Sequence, residues 1–575
     1  TLSMLALFLA PLAAPAAAVT TTFGVTSTGS DSAAGTASPN ATAWQRSLNH
    51  TTPLPRNGVA DARAAWVPPS AAAVALQAAI THAIEEEATT HEKPTATVVT
   101  APSGDVYFNS ASLNITGAHH VTLRGATAAA STTAPTTLYF APGVGVKIEN
   151  SSDIVVDTLS IDYHPLPYVF GSVKATTSHN TTVVLDPRSL TFETFVAQYP
   201  PHDTWPPITA FDKQSADRKK GLCSWGQAPA ATRIASREYV LACNGDGLAP
   251  GDLVVAATRV GYTLALSYTA RVVVRNIVIY AAGNMAITEF QGEGGNVYEN
   301  VSLIPRDASR PLSSNADGFH SSGMAHGPVL RRVTMRNLLD DYFNVHNTVQ
   351  LVAAVHTETR SLLVGDYQLF AGTNLEYATQ RTLGRVAIGD RVSFFPINTF
   401  TWPALASGVV ASIAAVHDPA LQHVLTDTYS AASRIALKTP CSACRAGLNP
   451  HASAQLWNIT LSETLPSAIA ALTFLNADAI SNTGAVVEDC DFSGSNSNLG
   501  RWKSSGGTIT NSRFSQTVNA NLEISPLQNW LEGPLGIHNV TVSDNTFVGM
   551  ATSPVHTFGA VGIHQFNNTF VPKAA

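Results

Sequence analysis

Three stretches of this chain repeat one pattern: Val272-Val-Val-Arg-Asn-Ile-Val-Ile279, Asn296-Val-Tyr-Glu-Asn-Val-Ser-Leu303 and Pro328-Val-Leu-Arg-Arg-Val-Thr-Met335. They share a template in which apolar residues alternate with polar ones around Asn or Asp, the two-residue period of a strand with one buried face. The pattern returns in Val487-Glu-Asp-Cys-Asp-Phe492, Ile509-Thr-Asn-Ser-Arg-Phe514 and Val542-Ser-Asp-Asn-Thr-Phe547. Recurrence at roughly 20 to 33 residues implies stacked units. A propeller blade needs ~40 to 45 residues and four hairpin-joined strands, and no Trp-Asp periodicity is present. The reading is therefore an all-β chain, a parallel β-helix in which like side chains stack inside and Asn or Asp lines the turns.

Outward from these coils, one amphipathic helix precedes them. Ser70 stands as its cap, Leu76, Ile80 and Ile84 recur on one face, and the pattern ends near Glu87, which makes it a capping helix at the N-terminal end. The triple Glu85, Glu86, Glu87 reads as a solvated helix end. Residues 19–95 form this N-terminal segment and residues 96–350 the first run of coils. Two stretches interrupt them. Residues 186–250, rich in Pro, Trp and Lys, read as a loop-rich excursion. Residues 351–458 carry strands without the Asn-turn template (Val392 to Phe395, Val409 to Val416, His423 to Leu425) and read as an inserted β subdomain. Coils resume over 459–570. Excursions from a regular solenoid commonly wall a binding groove.

Composition narrows the functions. Of 575 residues 13% are charged and 45% hydrophobic, so the chain is neither disordered nor a heptad fibre. Lys and Arg number 33 against 40 Asp and Glu, a net charge of -7 with no basic stripe, which argues against nucleic acid. Five Cys and no paired CxxC knuckles give no zinc site, and no cofactor or metal is expected. Residues 1–18 resemble the apolar core and small-residue cleavage site of a secretory signal, and no later apolar run reaches the ~20 residues of a membrane span. Sequons at Asn40, Asn49, Asn114, Asn150, Asn180, Asn300, Asn458, Asn539 and Asn567 agree with export to the cell exterior. Cys223 and Cys243 bracket a loop that an oxidising compartment would close. Cys441 and Cys444 form either a tight disulfide or a reduced pair. Cys490, inside a strand-like run, reads as a buried structural thiol.

The densest group of reactive side chains lies in Asn315-Ala-Asp-Gly-Phe-His320 and Leu339-Asp-Asp-Tyr-Phe-Asn-Val-His346-Asn. Laying the coil template on itself puts Ala286, Asp317 and Asp341 at about the same point of three successive coils. Rungs are ~4.8 Å apart, so the carboxylates of Asp317 and Asp341 would stand roughly 5 to 8 Å apart. Glycoside hydrolysis needs such a pair, and repulsion with the adjacent Asp340 would raise at least one pKa toward that of a general acid. A lone Asp in a coil turn more often bonds its own backbone, but two adjacent crowded carboxylates cost stability without a functional return. His320 and His346 are candidates to orient a carboxylate or bond sugar hydroxyls. Aromatic residues outside the coils, Trp205, Trp225 and above all Trp530 beside Glu532, are candidates to stack on a sugar ring.

These residues also carry a resemblance. Asp162-Tyr-His-Pro-Leu-Pro-Tyr-Val-Phe-Gly171, Ile279-Tyr-Ala-Ala-Gly-Asn-Met-Ala-Ile287, Asp317-Gly-Phe-His320, Asp340-Asp341 with Asn344-Val-His346, Gly389-Asp-Arg-Val-Ser-Phe394 and Asn529-Trp-Leu-Glu-Gly533, in this order over about residues 95 to 550, resemble the blood-group-B type α-1,3-galactosidases of glycoside hydrolase family 110. The resemblance implies a right-handed parallel β-helix with inserted β subdomains that removes terminal α-linked galactose with inversion and without metal. It carries functional positions over to Asp317, Asp340 and Asp341, with Glu376 as the nearest downstream candidate for the acid.

Two other functions fit the same fold. Cleavage of polyuronic acid by lyase or polygalacturonase chemistry would favour a basic groove or bound calcium, against the net charge and the aspartate cluster. A non-catalytic glycan-binding or structural β-helix would leave the three aspartates facing apart in their turns.

Overall fold

A computed structural model describes residues 21–24, 67–89, 96–126, 135–198, 208–215, 218–221, 231–257, 259–366, 383–396, 404–418, 421, 423–424, 427–428, 455–495, 497–515, 521–526, 531–550 and 554–572. Val273–Ile279 and Val297–Leu303 are parallel neighbours in register, Val273 opposite Val297. The same register runs on in both directions, from Val155–Tyr163 behind to Ile537–Ser543 and Ala560–Phe566 ahead. The chain is thus a parallel β-helix.

What sets each coil is one turn. Thr158, Asn276, Asn300, Arg332, Asp489, Asn511, Asp544 and Asn567 stand at the same register position on successive coils, and every one has a positive φ, between 50° and 59°. Left-handed backbone favours Asn and Asp among residues with a Cβ, which explains the recurring polar residue inside an otherwise apolar strand. The chain bends there, so one continuous sheet forms two ladders. The second carries a stack of Phe492, Phe514, Phe547 and Phe570, with ring centroids 5.3, 5.1 and 5.7 Å apart.

A third ladder, parallel throughout, runs from Leu113–Thr116 through Leu264–Ser267, Ile287–Phe290, Phe319–Ser322, Phe343–Thr348 and Gly500–Trp502 to Val555–Thr557. Its inward residues Phe319, Phe343 and Leu522 are fully buried in one continuous core with the other ladders. Cys490 is buried in this core, its thiol pushed up to about 12 by burial.

The helix Ala71–Thr89 closes the N-terminal end. Ser70 Oγ accepts the Ala73 N–H at 3.2 Å, Leu76 and Ile80 are fully buried, and Ile84 is half-buried. Its Gln77 amide exchanges two hydrogen bonds, 2.8 and 2.9 Å, with the backbone of Asn114 and so satisfies the edge of the terminal strand. A strand Thr21–Gly24 pairs in parallel with Thr97–Thr100 ahead of the coils.

The first excursion differs from its expected form, the second from its expected extent. The first starts earlier and is a sheet: Tyr168–Thr176 to Leu253–Ala257 make seven antiparallel strands with the helix Phe192–Gln198 beside them, built on their own apolar cluster around Val169, Phe195 and Tyr239. The Pro, Trp and Lys of residues 186–250 mask this alternation in sequence. The second is a closed antiparallel barrel from Gln350–His356 to Phe474–Ala477. Gln455–Leu461 and Phe474–Ala477 therefore belong to the barrel, and the coils resume at Val486–Glu488, in register with Val329–Arg331. His423 and Val424 are helical, not strand.

Cys243 is disulfide-bonded; Cys223, Cys441 and Cys444 lie outside the described residues, as does the expected signal segment. Among the described residues no helix is long and apolar enough to cross a membrane.

The turn column yields a test. Asn300→Val should destabilise the fold by ~1 to 2 kcal/mol, because a β-branched residue resists positive φ and the 2.8 Å bond to Asn276 is lost, whereas Asn300→Gly should stay within ~1 kcal/mol. Urea midpoints of the two variants compared with the wild type measure this.

Candidate active site

The outer face of the third ladder carries the reactive groups. In register, His320 stands opposite Asn344 and Asn344 opposite Arg501; one alternation further, Ser322 stands opposite His346. Lys503 N donates to Val345 O at 2.8 Å and so joins His346 on the following rung. Ahead of the strands, Gly318 N donates to Asp341 O at 2.9 Å and Ala286 N to Asp317 O at 3.0 Å. These bonds put Asp317 and Asp341 on adjacent rungs. They also place Met285, rather than Ala286, on the rung before.

One carboxylate oxygen from each of Asp317, Asp340 and Asp341 lies within 4.8 Å of the other two, slightly closer than the spacing of rungs alone predicts. A bend ahead of Phe343 brings Asp340 to the same place, half-buried, where Arg259 Nη2 donates to Oδ2. Asp341 is buried and accepts from Arg501 Nε at 2.7 Å, from the Asn498 N–H at 2.8 Å and from the Ser497 side chain. Burial pushes Asp341 up to about 8 against the pull of Arg501, with Asp340 and Asp317 pushing the same way; Asp317 is raised by burial and by Asp340. Three carboxylates face two guanidinium groups, so one proton makes the cluster neutral, and the first proton bound relieves the repulsion that raises the others. The same three oxygens form a group able to ligate one cation, in competition with those two guanidinium groups.

Beside the carboxylates lies a histidine chain. Asp317 Oδ2 is 2.8 Å from His320 Nδ1, His320 Nε2 is 2.9 Å from His346 Nε2, and His346 Nδ1 is 2.8 Å from the Asn347 carbonyl oxygen. Both nitrogens of both rings are thereby occupied within the protein, which suits the carboxylate-orienting role and leaves none for a sugar hydroxyl. Burial pushes His346 down to about 3, Glu532 pulling the other way. Glu532, brought in by a two-residue antiparallel pairing with Asn347 and Thr348, is bonded to Lys503 at 2.9 Å. Burial opposes its ionisation, yet Lys503 above all, with His346, Arg501 and His320, outweighs that and holds it well below the ordinary carboxylate range.

A second polar network supports this face from inside the core. Glu289, fully buried, accepts from Asn296 at 2.9 Å and Tyr298 at 2.9 Å on one oxygen, and its other oxygen is 2.6 Å from Ser321 Oγ. Ser321 Oγ is also 2.8 Å from Asn482 Oδ1, and the Asn482 amide donates to the His346 carbonyl. Ser321 has one proton for two acceptors, so with that proton on Asn482 the 2.6 Å contact requires a protonated Glu289. Burial raises the Glu289 pKa, in agreement.

The structure thus brings together Asp317, Asp340, Asp341, His320, His346 and Glu532. Glu376, Trp205, Trp225 and Trp530 lie outside the described residues. Sequence reading missed Arg259, Arg501, Lys503 and Asn344. For the Arg501-Trp-Lys503 pair the signal existed: overlaying the coil after the barrel on Asn344-Val-His346 puts both cations on the site face, provided the barrel is first removed from the count. Arg259, in the turn before Leu264–Ser267, has no such signal.

No family model matches the chain, and no curated protein matches it. Among solved structures, the A-module of the mannuronan C-5 epimerase AlgE6 from Azotobacter vinelandii is similar over 87% of this chain and 90% of that chain, with 11% identity and a TM-score of 0.29. The AlgE4 A-module from the same organism covers 86% and 91%, with 9% identity and a TM-score of 0.26. The catalytic unit of a GH87 α-1,3-glucanase from Streptomyces thermodiastaticus covers 91% of this chain and 68% of that chain, with 11% identity and a TM-score of 0.27. The site described above rests on the geometry of this chain alone.

The neutral Glu289 makes a prediction. Its folded pKa lies above the ordinary 4.5, so its contribution is full below that value and is lost as pH rises toward the folded pKa, by up to ~1.4 kcal/mol per pH unit. Glu289→Gln keeps every one of these hydrogen bonds without a titrating proton. Urea midpoints measured from pH ~5 upward should fall less steeply in Glu289→Gln than in the wild type.

Proposed function

We propose that this chain is an exported glycoside hydrolase that removes terminal α-linked galactose, or a related neutral sugar, from glycans, as its resemblance to glycoside hydrolase family 110 implies. The observation that carries the reading is the cluster of Asp317, Asp340 and Asp341, three carboxylates converging within 4.8 Å beside two guanidinium groups. A stack that used these residues only as turn-formers would turn them apart. Hydrolysis of a glycoside needs one protonated and one ionised carboxyl group, and a cluster that neutralises by holding one proton supplies both. Arg259, Arg501 and Lys503 are engaged by Asp340, Asp341 and Glu532, which favours a neutral sugar over a uronate needing a cation for its own carboxylate. Export is supported by the disulfide-bonded Cys243 and the signal-like residues 1–18.

The oxygen spacing favours a second reading of the stereochemistry. Inversion typically separates the two carboxyl groups by ~6.5 to 9.5 Å, retention by ~5 to 5.5 Å, and oxygens within 4.8 Å sit nearer the latter. The anomer released first, followed by NMR, decides between direct attack by water and a glycosyl-enzyme intermediate.

Screening p-nitrophenyl glycosides and galactose-ended oligosaccharides tests the activity. Asp317→Asn and Asp341→Asn should each lower kcat by a factor on the order of 10² to 10⁴ with folding intact. Chelator should leave turnover unchanged. Wild-type turnover in both variants, or complete dependence on added calcium, rejects the hydrolase reading.

A further inference from the structure

Just ahead of the third-ladder strands, the chain places Tyr262, Met285, Asp317, Asp341 and Asn498 at one register position on successive coils. The chemistry changes at Asp317, and the strands repeat the change. On the rungs before it the outward residues include Ala265, Thr288 and Phe290; from its own rung onward they include His320, Asn344, Arg501 and Glu523. The N-terminal side of the face is closed. Tyr262, Ala265, Met285 and Ala316 are buried in a cluster separate from the solenoid core, and Phe290 packs against it. The Phe290 ring centroid is 6.0 Å from that of Tyr262 and 6.0 Å from that of His320, so this apolar packing runs up to the site and ends the face there.

The C-terminal side is open. In register, Arg501 stands opposite Glu523 and Glu523 opposite His556. Phe558 N donates to Ile524 O at 3.2 Å, which puts Phe558 on the rung after Ser525, as Ser525 follows Lys503. Glu523 is half-buried and held by Ser525 Oγ at 2.9 Å and the Asn498 amide at 3.4 Å, His556 is exposed, and Phe558 is 58% exposed. Rungs are ~4.8 Å apart, so the run from Asn344 to His556 is ~14 Å long. A single exposed Phe is ordinary on a protein surface. Phe570, 55% exposed, continues the Phe stack, whereas Phe558 stands on the outward column that leads from His346 and Lys503. Hydrogen-bonding groups followed by an aromatic ring match the two kinds of surface a sugar offers, hydroxyl groups and an apolar C–H face. Residues 545–572 hold no Asp, Glu, Lys or Arg, which suits a neutral sugar and gives an ionised one nothing to pair with.

We propose that this open run binds the part of the glycan beyond the terminal sugar: the terminal sugar sits at the carboxylate cluster, at the closed end, and the sugars behind it pass over Glu523 and His556 to stack on Phe558. The proposal rests on the hydrolase reading and names the substrate within it, a neutral oligosaccharide recognised by sugars remote from the bond that is cut. No bond forms or breaks on this surface. Binding energy gained there orients the terminal sugar at the cluster, so a substrate with a short leaving group forgoes it.

Two measurements test it. Phe558→Ala alters a side chain that is largely in solvent, so the fold is kept. The ratio of kcat/KM on a galactose-ended tetrasaccharide to kcat/KM on p-nitrophenyl α-galactoside should fall by about tenfold, the loss of one aromatic contact, and Phe558→Trp should restore it. An unchanged ratio in Phe558→Ala overturns the proposal and leaves the hydrolase reading standing. In the second measurement, saturation-transfer NMR on Asp317→Asn, which slows turnover, should find the second and third sugars of the tetrasaccharide in contact with the protein. Their signals should weaken in the Asp317→Asn, Phe558→Ala double variant while those of the terminal galactose persist. Saturation confined to the terminal galactose, or absent altogether, overturns the proposal. This readout needs no turnover, so a wild type inactive on every galactoside would remove the hydrolase reading and still decide whether the run holds a glycan.

Discussion

Everything in this molecule depends on a single backbone requirement met once per coil. A residue at positive φ, in the same register position from Thr158 to Asn567, bends each coil so that the next strand lies on the preceding one. If the bend fell one residue earlier or later in one coil, the two-residue period would turn that coil's apolar side chains outward. The continuous core and the Phe stack therefore both follow from a turn whose preferred residues are small and polar. The same register carries the chemistry, because Asp317, Asp341 and Arg501 belong to three consecutive rungs of one outer face.

That link explains what is legible in the sequence. Asp317 and Asp341 can be placed on neighbouring rungs because the coil template counts correctly from Phe319 to Phe343, although it slips by one residue on the rung before, where Met285 stands in place of Ala286. The count stops at the barrel. Its strands alternate as coil strands do, so sequence alone ends it at residue 458 when the last strand is Phe474–Ala477, and Arg501 and Lys503 drop out of register with the site. The antiparallel sheet beginning at Tyr168 is hidden for a different reason: three of its pairings, Thr181–Leu185 with Glu238–Leu241 and Leu253–Ala257 with both Tyr168–Thr176 and Thr209–Phe211, join strands far apart in sequence, and local composition outweighs alternation. Arg259 is a turn residue whose partner, Asp340, is 81 positions away, and no local pattern announces such an ion pair.

The turn column also bears on the sequons. Asn150, Asn300, Asn539 and Asn567 all have positive φ and are exposed, and two of them, Asn300 and Asn567, stand in the turn column itself. Asn300 uses its amide to bond Asn276 on the coil before. Asn followed two residues later by Ser or Thr arises here from a strand that alternates apolar and hydroxyl residues after a left-handed Asn. The motif's frequency is thus a property of the solenoid before it is one of glycosylation.

The way the barrel is attached has a consequence for how such a chain diversifies. Its two ends meet: the Asn347 amide bonds Asn476 at 2.9 Å and Ser481 at 3.0 Å, and the coils continue from Val329–Arg331 to Val486–Glu488 as though nothing intervened. Closing a loop between points already in contact makes its entropic cost depend only weakly on how many residues it contains. The solenoid therefore tolerates exchange, growth or shrinkage of that module while the rungs holding the carboxylates keep their spacing, so a lineage built on this plan can remodel what surrounds the sugar without reinventing the groups that act on it.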